Sequence, residues 1–345
     1  MSEKSLFTIG ITQGDLNGIG YEVIIKALHD KTLLELCTPA VYGLAKVSSY
    51  YRKNLDMNEF SFQFVKSINQ LSLKRPNLVN IADEEVKIEP GTPTPISGKM
   101  AELALNVASK DLKDNLIDAI VTGPIDKSNI QSDTFKFQGH TEYFMHHFKT
   151  NEAMMMMISP LVKIGFATNH AALKDVSSLL TPELIIKKLK VLQNSLVQDF
   201  ACTNPKIAVL SLNPHAGDNK LLGKEEDEVI KPAILQAYDQ GINAVGPFAA
   251  DGFFGSGNYQ KFDAVLAMYH DQGMIPFKLL SLDEGVNYTA GLPCVRTSPA
   301  HGTAFDIAGK NKSSGQSMRS AIYLAIDILR NRKIFAGYAT QKKSK

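Results

Sequence analysis

The sequence contains no tryptophan and only three cysteines, Cys37, Cys202 and Cys294, which lie far apart and are odd in number. Because no Cys-x-x-Cys pair occurs, neither a disulfide framework nor a thiolate zinc site is predicted. No apolar run approaches the roughly 20 residues that a membrane-spanning helix needs. Residues 1–5 lead into a short apolar segment rather than into the hydrophobic core of a signal peptide. We therefore expect a cytoplasmic protein without a membrane partner.

An excess of charge of one sign is also missing. The 37 basic and 35 acidic residues give a formal net charge of only +2, and both signs are mixed along the chain. Proteins that bind nucleic acid need basic residues clustered on one face, so no nucleic-acid partner is expected. The short basic end at residues 341–345 is interpreted as a solvated terminus.

The chain has enough apolar residues for a large core, because 44% of its 345 residues are hydrophobic. A chain of this length usually divides into two lobes. Short apolar runs alternate with helical patterns, which predicts an α/β fold with a largely parallel sheet. Strands are predicted at residues 6–11, 117–122, 162–168, 207–213 and 264–269, and helices from about residue 21, after Thr181, and over residues 317–330.

Two glycine-rich segments were compared with known phosphate-binding and nucleotide-binding loops. The first, residues 14–20, has neither the Gly-x-Gly-x-x-Gly spacing nor a following Gly-Lys-Ser/Thr, so a Rossmann domain is not supported. The second, residues 301–309, combines small residues with one acid, Asp306. Small residues allow close approach of the backbone to a flat ring, and an acid can accept hydrogen bonds from ribose hydroxyls.

Three histidines follow three predicted strands: His170, His215 and His270. Ligands of open α/β sheets bind at the carboxyl ends of strands, so these imidazoles could converge on one divalent cation. Asp251 could add a carboxylate, although a simple turn aspartate explains it equally well. Each histidine alone is also compatible with an ordinary surface residue, and spacing does not decide between the two interpretations.

A second set of residues could bind an anion. His140 and Thr141 stand at a predicted helix start, where exposed N–H groups favour negative charge. Lys278 and Arg296 are cationic candidates, with Arg296 in a predicted loop after a short apolar run, and Asn287 is an uncharged candidate. Each could equally be a solvated surface residue.

Together, several segments resemble 4-hydroxythreonine-4-phosphate dehydrogenase of pyridoxal phosphate biosynthesis. The resemblance covers about residues 8–310. It rests on the first glycine turn, on Gly139-His140-Thr141-Glu142, on Asn213-Pro214-His215-Ala216-Gly217, on Met268-Tyr269-His270-Asp271-Gln272-Gly273 and on His301-Gly302-Thr303-Ala304. The last segment also looks like the cofactor loop of the wider isocitrate and isopropylmalate dehydrogenase fold.

The resemblance implies a two-lobed α/β/α fold that is not a Rossmann fold. An outer lobe would comprise residues 1–127 and 288–345, and an inner lobe of residues 128–287 would carry the dimer interface and the metal ligands. The implied protein is a homodimer whose active site is shared between subunits. His170, His215 and His270 would hold one divalent metal (zinc, magnesium or cobalt).

The resemblance also implies a small phosphorylated substrate, contacted by His140, Thr141, Lys278, Asn287 and Arg296. Among these, His140 and Lys278 would be catalytic, and Lys278 would either hold an anion or move a proton. His301, Gly302 and Asp306 would bind the nicotinamide cofactor. We expect NAD rather than NADP, because Asp306 would repel a 2′-phosphate and no Lys or Arg precedes Lys310 in the loop.

Alternatives remain at this stage. A paralogue could oxidise a phosphorylated sugar acid, such as threonate or erythronate 4-phosphate, in place of 4-(phosphooxy)-L-threonine. Three histidines with an open coordination position would equally suit a zinc hydrolase. A phosphate acyltransferase or a binding protein on a related fold is a further alternative. The segment at residues 301–309 favours a dehydrogenase.

Overall fold

The computed structural model describes residues 6–281 and 283–343, with side chains as far as Tyr338. The expectations for residues 1–5 and for the basic side chains of residues 341–345 fall outside this range. The strands are β1 (Phe7–Thr12), β2 (Cys37–Gly43), β3 (Gln63–Val65), β4 (Asn77–Asn80), β5 (Ala119–Thr122), β6 (Met154–Ile158), β7 (Lys163–Phe166), β8 (Ile207–Leu210), β9 (Ala244–Phe248), β10 (Ala264–Ala267), β11 (Val286–Ala290) and β12 (Val295–Pro299).

The α-helices occupy most of the connections between these strands. They are α1 (Gly20–Leu28), α2 (Ala45–Asn54), α3 (Pro95–Lys113), α4 (His140–His147), α5 (Val176–Leu179), α6 (Pro182–Gln198), α7 (Lys231–Asp239), α8 (Ala250–Gly255), α9 (His270–Ser281) and α10 (Gln316–Lys343). Among the described residues, no helix is long and apolar enough to cross a bilayer. The α/β fold and all five predicted strands are confirmed, each strand lying within about two residues of its predicted start.

The chain divides into two compact units. The first unit contains residues 1–143 and 294–329, and the second contains residues 144–293 and 330–345. In the first unit the strand order is β3-β4-β2-β1-β5-β12, and every pairing is parallel. Its central strands are apolar on both faces, as shown by the fully buried neighbours Ala40 and Val41 in β2 and Ile120 and Val121 in β5, because helices cover both sides of a parallel sheet.

The strand order of the second unit is β11-β6-β7-β10-β8-β9. The pairings from β7 to β9 are parallel, whereas β6 runs antiparallel to both β7 and β11. The strands β7, β10 and β8 are therefore neighbours whose carboxyl ends share one edge. Helix α6 begins as predicted, because the Thr181 hydroxyl accepts a hydrogen bond from Leu184 N at 3.2 Å and Pro182 occupies its first turn.

Candidate active site

The first unit contains a buried cation at Arg296. The sequence placed this residue in a loop, but the structure places it in strand β12, where only 2% of the residue is exposed. The residue is buried because β12 pairs with β5 inside a parallel sheet, and helices cover both faces of such a sheet. One terminal nitrogen donates to Thr122 Oγ1 at 2.6 Å and to Ser298 Oγ at 3.1 Å. These two acceptors are neutral hydroxyls, and they orient the guanidinium.

The charge of Arg296 persists at neutral pH. Burial lowers the pKa of the guanidinium to about 9, and the nearby Glu142 acts in the opposite direction. A cation held in a buried position is unfavourable unless an anion accompanies it. The arrangement therefore suits a bound phosphate or carboxylate.

His140 opens helix α4, as predicted, and its Nε2 atom is buried with no hydrogen-bond partner among the described residues. Burial, followed by the positive charges of Arg296 and Lys127, holds the pKa of His140 well below its usual range. The imidazole is therefore neutral, and Nε2 is available to a ligand. Thr141, the next residue of the helix, is buried beside it. Lys127 is a member of this neighbourhood that the sequence analysis did not identify.

The other predicted substrate residues belong to the second unit. Lys278 lies exposed on α9, and Asn287 lies on β11 with a buried Oδ1 that has no hydrogen-bond partner among the described residues. The structure thus brings His140 and Arg296 into one electrostatic neighbourhood, with Thr141 adjacent in α4, and assigns Lys278 and Asn287 to a different unit.

The three candidate metal histidines follow β7, β8 and β10 at their carboxyl ends. The rings of His170 and His270 have centroids 6.0 Å apart, and the ring of Phe166 stacks on His270 at 6.0 Å. His270 Nδ1 lies 2.7 Å from a carboxylate oxygen of Asp271. A carboxylate at Nδ1 favours the tautomer in which Nε2 is the free electron-pair donor, as in many metal-binding histidines.

His215 lies apart from this pair in a turn of unusual handedness. Positive φ angles run from His215 to Lys220, and Gly217 is the one glycine among these six residues. Left-handed backbone costs roughly 1–2 kcal/mol for each non-glycine residue, so surrounding contacts must hold the turn. Within the described residues, no three His, Cys, Asp or Glu side chains form a group that could hold a metal. Asp251 lies exposed on α8.

Side chains that the sequence analysis missed bridge the three histidine-bearing loops. Gln272 accepts from Met268 N at 2.7 Å and donates to Ser211 O at 2.6 Å, which joins the ends of β10 and β8. Thr168 Oγ1 donates to Met268 O at 2.7 Å and joins β7 to β10. Hydrogen bonds thus connect the three histidine-bearing loops at one edge of the sheet within a single chain. The imidazole side chains of histidine suit zinc, cobalt and similar divalent ions.

The predicted cofactor loop, residues 301–309, is anchored to the first glycine turn and to α1. Ile19 N donates to Thr303 O at 3.0 Å, and a Cβ atom at Gly18 would lie only 2.9 Å from that oxygen, so glycine is required there. The fully buried Glu22 accepts from Gly309 N at 2.6 Å.

Two residues of this loop that were predicted to bind the cofactor are open to solvent. A Cβ added at Gly302 would meet nothing within 4 Å, and Asp306 is exposed. Lys310 folds back so that its Nζ lies 2.7 Å from Asp306 O. This lysine places a cation at the backbone carbonyl of Asp306, the residue on which the expected NAD preference rests.

Comparison with known proteins gives a consistent set of relatives. The family model for pyridoxal phosphate biosynthetic protein PdxA matches residues 35–325. A 4-hydroxythreonine-4-phosphate dehydrogenase from Bacteroides thetaiotaomicron is 51% identical over 332 residues, covering 96% of this chain and 91% of that protein. A protein from Oceanobacillus iheyensis named "Putative D-threonate 4-phosphate dehydrogenase" is 40% identical and covers 95% and 99%. The crystal structure of 4-hydroxythreonine-4-phosphate dehydrogenase from Klebsiella pneumoniae is similar with a TM-score of 0.77 at 33% identity, covering 94% and 99%.

Proposed function

The chain belongs to the family of pyridoxal phosphate biosynthetic protein PdxA, and from that premise we propose that it converts 4-(phosphooxy)-L-threonine to 3-amino-2-oxopropyl phosphate. The secondary alcohol is oxidised to a ketone with transfer of a hydride to the cofactor, and the resulting β-keto acid loses CO2. The observation that carries this proposal is the 51% identity to a 4-hydroxythreonine-4-phosphate dehydrogenase over 96% of the chain. Because the chain belongs to a family of oxidoreductases, we no longer propose the zinc hydrolase that the three histidines alone would allow.

The first unit supplies contacts to the anionic substrate. Arg296 provides a fixed positive charge, since Thr122 and Ser298 orient its guanidinium from within the sheet. His140 provides a neutral imidazole whose buried Nε2 can bond to a phosphate oxygen or exchange a proton with the substrate. A charge-assisted hydrogen bond to phosphate from a buried arginine is stronger than one from a solvated lysine. We assign Lys278 and Asn287 of the second unit to the same substrate, with Lys278 holding an anion or moving a proton.

His170, His215 and His270 would hold the divalent metal, which we expect to be zinc, magnesium or cobalt. A bound divalent metal supplies Lewis-acid stabilisation of negative charge that develops on substrate oxygens. Nicotinamide supplies the hydride acceptor. Gly302 and His301 would approach its ring, and Asp306 would accept hydrogen bonds from ribose. We retain NAD as the expected cofactor, with NADP as the alternative that Lys310 could favour.

We further propose a homodimer that completes the metal site. Each candidate histidine is followed along the chain by exposed apolar side chains: Leu173 and Leu179 after His170, Leu221 and Leu222 after His215, and Ile275 and Leu279 after His270. Exposed apolar side chains concentrated around polar functional groups mark a surface that another protein covers. A second copy fits this surface because it could add a ligand to the pair His170 and His270, which form no three-ligand group with any other His, Cys, Asp or Glu of the described residues. The three free cysteines are consistent with the reducing cytoplasm in which we expect the enzyme to act.

A substrate panel tests the assignment. Purified protein would be mixed with zinc, magnesium or cobalt, with NAD or NADP, and with 4-(phosphooxy)-L-threonine or D-threonate 4-phosphate, and reduced cofactor would be followed by absorbance. We expect the highest kcat/KM with 4-(phosphooxy)-L-threonine and NAD. The 40% identity to the protein named for D-threonate 4-phosphate makes that compound the informative competitor. A higher kcat/KM with D-threonate 4-phosphate would contradict the proposed substrate and leave the reaction class intact.

A further inference from the structure

Glu226 is a buried acid whose contacts lead to the loop that bears His215. It begins the π-helical turn Glu226–Ile230, and only 2% of the residue is exposed. Its neighbours Glu225, Asp227 and Glu228 are all more exposed, so the acidic run has one member turned into the protein. A buried carboxylate is unfavourable unless hydrogen-bond donors surround it. The donors around Glu226 therefore show which part of the chain this carboxylate fixes in place.

Those donors come from Leu212 and Asn213, which follow the end of strand β8 at Leu210. Glu226 Oε1 accepts from Leu212 N at 2.9 Å and from Asn213 N at 2.7 Å. Oε2 accepts from Asn213 Nδ2 at 3.0 Å. Three donors on one carboxylate fix the direction in which the backbone leaves the strand, two residues before His215.

The same carboxylate also contacts the start of the left-handed turn. A Cβ atom built on Gly217 would lie 2.6 Å from Glu226 Oε2, so the backbone at Gly217 packs directly against this oxygen. Gly217 adopts its positive φ of 80° without steric cost, because it has no side chain. The flanking non-glycine residues adopt positive φ only when surrounding contacts constrain them. Glu226 thus holds the chain on both sides of His215, at Asn213 and at Gly217.

We infer that Glu226 is a positioning residue for the metal site: its carboxylate holds the left-handed turn so that His215 presents its imidazole to the metal. The inference rests on the proposed function, because it takes His215 as a metal ligand. Partners that orient a metal ligand contribute to affinity without touching the ion, and losing one typically weakens binding by about 10–100-fold. Glu226 contacts neither substrate nor metal in this account.

The test is zinc affinity of the full-length protein, measured without substrate by competition with a chelator. In Glu226→Gln the new amide nitrogen would face Asn213 Nδ2, and two hydrogen-bond donors cannot bond to each other. The loop that bears His215 therefore loses one of its hydrogen bonds to residue 226. We expect zinc binding about 10–100-fold weaker, with kcat close to wild type once metal is saturating. The matched control is Glu228→Gln, an exposed acid two residues away, which should bind zinc as wild type does.

Two further variants separate the possible failures. Asn213→Ala removes, at a half-buried position, the side-chain amide that donates to Glu226 Oε2 and, at 2.8 Å, to Glu225 Oε2. It weakens the same contact to the loop even if Glu226→Gln does not fold, and we expect zinc binding weakened by about tenfold. His215→Ala tests the ligand itself. If His215→Ala retains wild-type zinc affinity, the proposed metal site is wrong. If His215→Ala loses zinc while Glu226→Gln or a folded Asn213→Ala binds it as tightly as wild type does, Glu226 does not position His215.

Discussion

The two units carry their candidate functional groups in opposite ways. In the first unit the candidate anion-binding groups are buried, with Arg296 inside a parallel sheet and His140 at a helix start, where burial lowers its pKa well below the usual range. In the second unit two of the candidate metal ligands, His170 and His215, are exposed, and His270 is half-buried. Of the sixteen exposed large apolar side chains among the described residues, twelve belong to the second unit.

This difference indicates which candidate group of residues one chain can organise alone. Burial and hydrogen bonds hold Arg296 and its neighbours in place without a ligand, and we expect such preorganisation to lower the cost of binding an anion. We expect the candidate metal ligands to gain their geometry only when a second copy covers the surrounding apolar surface. We therefore expect changes in the first unit to act on substrate recognition, and changes in the second unit to act on metal binding and assembly.

The largest effect should come from the metal ligands. Replacing His170, His215 or His270 by Ala should remove the metal and reduce turnover by more than about 1,000-fold, since a tightly held cofactor ion is lost. Because His170 and His215 are exposed, the variants should stay folded. Metal content and circular dichroism after chelation and dialysis would check both points. Full activity of His215→Ala after that treatment would break the assignment of the second unit to metal binding.

A smaller effect is expected at the anion site. Arg296→Ala should lower kcat/KM for the phosphorylated substrate by about 10–1,000-fold, the range for a charge-assisted hydrogen bond. Metal content should remain at the wild-type level, which separates this variant from the histidine variants. The substrate without phosphate should be much less affected. Equal losses on both substrates would show that Arg296 does not recognise the phosphate.

The cofactor loop should give a still smaller change. Asp306→Ala should reduce the preference for NAD over NADP by no more than about tenfold, because one hydrogen-bonding acid is removed. Lys310→Ala should act in the opposite direction, since its cation lies beside Asp306. Steady-state kinetics with both cofactors would measure the ratio. A wild-type enzyme that favours NADP, or an unchanged ratio in Asp306→Ala, would mean that this loop does not set the preference.

The smallest effect concerns stability and pH. His140 has a pKa well below its usual range in the folded chain, whereas the unfolded chain has the ordinary value near 6.5. As the pH falls below 6.5 the unfolded state takes up a proton that the folded state does not, so stability is lost. Urea unfolding at pH 8 and pH 5 should therefore show a larger loss for wild type than for His140→Gln. An equal loss in both would mean that His140 is not held neutral by burial.

The sequence predicted those features of the two units that depend on local patterns of residues, such as strand ends and helix starts. Apolar runs followed by His170, His215 and His270 located three strand ends, and Thr181-Pro182 located a helix start. The order of β7, β10 and β8 depends on pairing between distant segments, so it could not be read from the chain. The left-handed turn was equally hidden, because Gly217 is its one glycine.

Burial was the other property that local patterns did not indicate. The sequence analysis placed Arg296 in a loop because it follows a short apolar run, whereas the structure places it in β12 with hydroxyl partners from β5 and from β12, namely Thr122 and Ser298. Glu226 belongs to an acidic run that is typical of a solvated face. In both cases a partner distant in sequence orients the charged group: Thr122 orients the Arg296 guanidinium, and Asn213 orients the Glu226 carboxylate.

Mixing inactive subunits tests the central claim, that a second copy completes the metal site of the second unit. His170→Ala, His215→Ala and His270→Ala would be unfolded and refolded together in each pairwise combination, and activity measured with 4-(phosphooxy)-L-threonine. If the ligands come from both subunits, at least one pair forms mixed dimers with one intact site, and activity should return to roughly a quarter of wild type by random pairing. Recovery in none of the three pairs, from subunits that refold and dimerise, would show that each chain supplies all of its own ligands and would contradict the account.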